Sequence, residues 1–192
     1  YDTINNFTFY RGMEDQSRVL IMFKGDYITN DTTRLTASIL SNILNIRLRE
    51  SLREDKGGVY SVRANLQVTK IPRQEFSLQI SFGCNPSMTD SLTQLVFNEM
   101  KKLLNKEFLD DDIFKSKETI KNQFKENYQK NNYWISSLYL FYNKEISYLK
   151  DIEMFSSLID SITKEDLYKA VKNCFRLDAY KRGVLQPLQN KK

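Results

Sequence analysis

The stretch LREDKGGVYSV, Leu52–Val62, decides how the chain is laid out. Before it, apolar residues recur at helical spacing. After it, they fall on every second residue. Between the two stand Gly57 and Gly58, and glycine readily takes the left-handed conformation that ends many helices. The stretch therefore reads as a helix, a sharp reversal and a strand. It also sets Arg53 seven residues before Tyr60, a guanidinium and a phenol on either side of the break.

Working back from the break, Leu40, Leu44, Leu48 and Leu52 are four residues apart, with Ile39, Ile43 and Ile46 beside them. This spacing predicts a helix from about 32 to 55 with a wide buried face. Asp31 is the expected N-cap. Upstream, FTFYRGMEDQSRVLIMFKG reads as a short strand, a turn at Gly12–Asp15 and a strand over 18–24.

Forward of the break, Tyr60, Val62, Ala64, Leu66 and Val68 alternate with Ser61, Arg63, Asn65 and Gln67. Phe76, Leu78, Ile80 and Phe82 repeat the pattern after the turn KIPRQ. Period two in both runs predicts antiparallel strands over 59–68 and 75–83 with one solvated face. The remainder is mostly helical: Met88–Lys106, a helix from Asp110, NNYWISSLYLFYNKEISYL, a short helix with Ile152, Phe155 and Ile159, and Lys164–Phe175 behind the capping box Thr163–Asp166. A last strand, AYKRGVLQP, closes the order β-β-α-β-β-α-α-α-α-α-β. Antiparallel strands with helices on one face define an α+β fold rather than a doubly wound sheet.

A chain of 192 residues with 41% hydrophobic and 28% charged residues suits one domain, 1–192, with its own core. It opens at Tyr1 on a polar strand and reads as a piece of a longer polypeptide. No apolar run approaches the roughly 20 residues a membrane helix needs. The net charge of +5 comes from lysines spread over helix surfaces, such as Lys115, Lys117, Lys121 and Lys125 among Glu118 and Glu126, so nucleic-acid binding is not expected. Cys84 and Cys174 form no motif and are expected as buried free thiols. Asn6-Phe7-Thr8 and Asn30-Asp31-Thr32 match the glycosylation sequon, a short pattern that chance also produces.

The most informative count is zero histidines. It removes His-ligated zinc catalysis, Ser-His and Cys-His pairs and imidazole acid–base chemistry from this segment. No glycine-rich phosphate loop is present either. Asp110, Asp111 and Asp112 suit a helix N-terminus better than a metal, because adjacent residues cannot all face one ion. Tyr133, Trp134, Tyr139, Phe141 and Tyr142 have helical spacing, and core packing is the expectation, with a peptide-binding or interdomain surface as the alternative.

The order of elements, LRE followed by GGVYSV, and the strand exit SFGCNP together resemble one domain of the insulinase/pitrilysin family of zinc metallopeptidases, the inverzincins, over nearly the whole chain. The resemblance implies a LuxS/processing-peptidase-type domain, one of several repeated in a clamshell. It implies zinc on an H-x-x-E-H motif in another half, in the same chain or in a partner subunit. This histidine-free segment then resembles a non-catalytic domain, most simply from the C-terminal half. Its long helix carries Glu50 and Glu54 but nothing to complete an inverted zinc motif. The resemblance further implies that Arg53 and Tyr60 reach the peptide at the zinc, where a guanidinium and a phenol would donate to its carbonyl and to the oxyanion. Plain structural readings stand beside this: a core tyrosine in the apolar phase of its strand, and a solvated arginine near the negative pole of a helix.

The expected function is thus a substrate-binding, chamber-forming domain of a zinc endopeptidase, without metal of its own. A scaffold subunit without peptidase work and a basic nucleic-acid module are the alternatives. The partners implied are the zinc-bearing half and a peptide substrate; a homodimer is compatible. Likeness to single-chain bacterial members implies the periplasm or envelope, with the cytoplasm as the alternative.

Overall fold

A computed structural model describes residues 3–54, 59–143 and 151–188. The elements are β1 (Asn5–Tyr10), β2 (Ser17–Asp26), α1 (Asp31–Glu54), β3 (Val59–Thr69), β4 (Glu75–Cys84), a single 3-10 turn at Pro86–Met88, α2 (Thr89–Leu104), α3 (Asp110–Tyr128), α4 (Asn131–Tyr142), α5 (Ile152–Ser161), α6 (Lys164–Cys174) and β5 (Lys181–Gln186). The five strands lie in one sheet, in the order β1-β5-β2-β4-β3. The three central pairings, β5·β2, β2·β4 and β4·β3, are antiparallel, and β1 is added parallel to β5.

The helices cover one face of the sheet. Val19, Ile21 and Phe23 of β2, Phe76, Leu78, Ile80 and Phe82 of β4, and Ala64, Leu66 and Val68 of β3 point into that layer and are buried. Against them α1 buries Leu40, Ile43, Leu44, Leu48 and Leu52, each with at most 1% exposure. Leu92, Val96, Met100 and Leu103 of α2 and Leu167, Ala170 and Val171 of α6 complete the core, and α3 and α5 join through Phe124 and Phe155, stacked at 3.7 Å.

Helix α1 does more than cover the sheet. β3 is an edge strand, and its outward main-chain groups would otherwise lack a protein partner. The Asn45 amide pairs with Ala64 on both sides, Nδ2 donating to the carbonyl at 2.7 Å and Oδ1 accepting from the amide at 2.8 Å. Ser41 accepts from Leu66 N at 3.2 Å. At the far end of the strand, the Thr29 hydroxyl donates to Thr69 O at 2.8 Å. Polar side chains of α1 thus act as a substitute strand over the middle of that edge.

Three expectations need correction. The N-cap of α1 is Asn30, not Asp31: Asn30 Oδ1 accepts from Thr33 N at 2.9 Å and Thr33 Oγ1 accepts from Asn30 N at 2.8 Å. An Asn-x-x-Thr pair closes reciprocally there, which leaves Asp31 as the first-turn acid. The triple aspartate of α3 divides. Asp110 and Asp111 are exposed and pair with Lys164 and Lys115, whereas Asp112 is buried against Arg47, with Nε at 2.9 Å from Oδ2. Helix α4 keeps little of its expected core. Tyr133 and Trp134 are half-buried and pack edge-to-face on Phe124 and Tyr128, but Ile135, Leu138, Tyr139, Phe141 and Tyr142 are exposed. Periodicity shows which side chains share a face but not whether anything lies against it. Ile146 lies outside the described residues.

Leu44→Ala is expected to cost about 2–5 kcal/mol in chemical denaturation, because it empties a fully buried site. Asp112→Ala strands the buried Arg47 guanidinium, and about 3–5 kcal/mol is expected by the same measurement. Losses within experimental error would show that these contacts do not stabilise the fold.

Candidate functional site

The sheet face away from the helices shows what the strands present. Strand registers place Phe9, Leu185, Arg18, Gly83 and Ser61 in one row across it, and Phe7, Gly183, Leu20, Ser81 and Arg63 in the next. A groove of about 430 Å³ runs over these rows. It is apolar at the β1 end, basic at Arg18 and Arg63, and its floor includes Gly83 and Gly183.

Tyr60 stands at its border. The alternation of β3 would place Tyr60 opposite Cys84 on the buried face. The structure instead pairs Val59 with Cys84 and Ser61 with Gly83, so Tyr60 is the extra residue of a β-bulge. The bulge lifts it out of the apolar phase. Tyr60 is 68% exposed, and its Cβ lies 4.0 Å from where a Cβ of Gly83 would be. The core-tyrosine reading is therefore overturned: the ring is on the surface, at the start of an edge strand.

Arg53 falls in the last turn of α1. Its side chain and residues 55–58, including both glycines of the reversal, lie outside the described residues. The structure accordingly places the helix end and the strand start and exposes the phenol; the meeting of the two side chains is not described.

The residues do not fit a zinc ion. The chain has no histidine, and among the described residues no group of three or more Cys, Asp and Glu is arranged to hold a metal. Glu50 is exposed on α1. Cys84 and Cys174 are separate, free and buried; burial raises the first thiol to about 11 against the opposing effect of Arg182, and the second to about 12. Neither supplies a thiolate at neutral pH.

Two features of the structure were missed in the sequence, the first in the site and the second in the core. The bulge gave no sign, because the alternation continues through Tyr60 unbroken. The Arg47–Asp112 pair had one: Arg47 lies seven residues after Leu40, on the buried line of α1, where an arginine needs a partner.

An α+β domain that, among the described residues, has an uncovered sheet face, an exposed tyrosine and no metal-holding group is the class this geometry defines. Residues 3–120 match the family described as the peptidase M16 inactive domain, and the chain belongs to that family. No curated protein matches it significantly in sequence. Among solved structures, the chain is similar to the periplasmic protease PqqL from Escherichia coli at TM-score 0.78 and 21% identity, covering 97% of this chain and 21% of that one. It is similar to a peptidase M16 inactive domain from Pseudomonas fluorescens at TM-score 0.75 and 19% identity, over 99% of this chain and 45% of that one. A conserved protein from Enterococcus faecalis gives TM-score 0.81 at 16% identity, over 100% and 44%. The chain thus spans about a fifth of the first protein and less than half of the other two. No described helix is long and apolar enough to cross a membrane.

Extensively dialysed protein is expected to hold no stoichiometric zinc by elemental analysis. One tightly bound zinc per chain would contradict the donor set.

Proposed function

We propose that this chain is the non-catalytic, substrate-binding and chamber-forming domain of a zinc metalloendopeptidase. The zinc-bearing H-x-x-E-H half then lies elsewhere in the same polypeptide or in a partner subunit. The observation that carries the reading is Tyr60: a tyrosine that its strand pattern would bury is turned out by a bulge, to 68% exposure, at the point where α1 gives way to β3. Burying an aromatic ring is normally favourable. Surrendering that burial at one site fits a hydroxyl needed outside the domain.

Arg53 and Tyr60 are the proposed donors. A guanidinium offers several N–H groups in a fixed fork and a phenol offers one O–H. Both match a peptide carbonyl in the ground state and the oxyanion of a tetrahedral intermediate. A donor held on a domain facing the cleaved bond need take no part in proton transfer. It has to be oriented before the charge develops, and a helix end and a strand start are rigid supports for that.

The test is steady-state cleavage of a quenched fluorescent peptide by the full-length protein, with the thermal midpoint of each variant. Arg53→Ala and Tyr60→Phe are each expected to lower kcat/KM by about 100-fold or more. The stability of Tyr60→Phe should change by no more than about 0.5 kcal/mol, as for other surface positions. Tyr60→Phe keeps the ring and deletes only the hydroxyl. A fall in kcat at constant KM places that hydroxyl on the oxyanion, and a rise in KM alone places it on the ground-state peptide. Wild-type kinetics in both variants would overturn the reading.

A further inference from the structure

Gly83 lies in the strand exit FGCNP, Phe82–Pro86, late in β4. A glycine inside a strand weakens it and commonly marks a place where something approaches closely. The backbone does not demand glycine here: among the described glycines, only Gly12 has a positive φ, at 88°. What limits the position is the space beyond a Cβ.

The room there is enough for a Cβ alone and is bounded on three sides. A Cβ at position 83 would stand 3.4 Å from Gln16 Nε2, 3.9 Å from Ser17 O and 4.0 Å from Tyr60 Cβ. Directly opposed residues on one face of an antiparallel pair normally have Cβ atoms about 4.5–5.5 Å apart. Tyr60 therefore sits closer over Gly83 than a paired residue would, and the paired position belongs to Ser61. Two residues of β3 crowd over one residue of β4. Gly183, on the same open face, is the contrast, since a Cβ there would meet nothing within 4 Å.

We propose that Gly83 is a positioning residue for Tyr60: the missing side chain lets the bulge lay Tyr60 onto the open face, with Gln16 closing the space from the β2 side. This rests on the reading of Tyr60 as a donor to substrate. A methyl at position 83 is accommodated, in ordinary contact with the far end of Gln16. A β-branched side chain reaches further and displaces the tyrosine.

The experiment is a double-mutant cycle in the full-length protein, with Gly83→Ala, Gly83→Val, Tyr60→Phe and the combination of each Gly83 variant with Tyr60→Phe. Gly83→Ala should leave kcat/KM near wild type and Gly83→Val should lower it by about tenfold to a hundredfold, the scale of a misplacement near 1 Å. Neither should add to the loss already caused by Tyr60→Phe, because both act through one hydroxyl. Multiplying losses would overturn the proposal. A second readout needs no activity: 3-fluorotyrosine at position 60 should shift its ¹⁹F resonance in Gly83→Val and keep it in the matched Gly183→Val. An unmoved resonance in the Gly83 variant overturns the positioning whatever the kinetics. A moved resonance with kinetically silent Tyr60→Phe means that the donor reading fails while the positioning stands. Should Gly83→Val not fold, Gly83→Thr, β-branched and polar, carries the cycle and the resonance alike.

Discussion

The burial of α1 against the sheet is the contact on which the other features depend. Its leucine and isoleucine line is almost wholly removed from water against β2, β3 and β4. Each such side chain is worth about 1.5–3 kcal/mol of transfer free energy. The same helix also satisfies the edge of β3 through Asn45 and Ser41. A shift of one residue in β3 would therefore break polar contacts as well as turn its apolar side chains outward. Register, helix placement and edge protection are fixed together.

That fixed frame is what allows a local exception. From Val62 to Thr69 the strand is held on one side by β4, on the other by α1 and Thr29, and below by the core. The bulge comes just before this secured stretch, so one residue can leave the pattern without disturbing the rest. The exception puts Tyr60 on the surface, over a glycine. Rigid support close behind an exposed polar group is the arrangement that lets a donor act without reorganising.

Membership of the peptidase M16 inactive-domain family agrees with what the chain lacks as well as with its fold. The long helix that follows the second strand keeps its apolar face but offers no imidazole. Two of its polar residues join it to neighbouring helices: Arg47 to α3 through Asp112, and Ser51 to α2 through Glu99. Two surfaces remain uncovered among the described residues, the open face of the sheet and the aromatic side of α4.

The sequence by itself determined the element order, the α+β class, the buried line of α1 and the antiparallel set of β2, β3 and β4. These follow from period 3.6 and period two, which are local and repeat over enough residues to outweigh exceptions. The capping box at Thr163 and Asp166 was legible for the same reason, since its partners are three residues apart. Tertiary structure alone decided the rest. Tyr60 continues an apolar alternation, and only the pairing of Val59 with Cys84 and Ser61 with Gly83 removes it from the core. The apolar residues of α4 have the spacing of a buried helix, yet Ile135, Leu138, Tyr139, Phe141 and Tyr142 are exposed among the described residues. Asp112 looks like its two acidic neighbours until Arg47, 65 residues away, meets it. For Tyr60 and Asp112 the deciding contact joins residues far apart in the chain, and no window of sequence contains both; for α4 the spacing within the helix cannot say what lies against it.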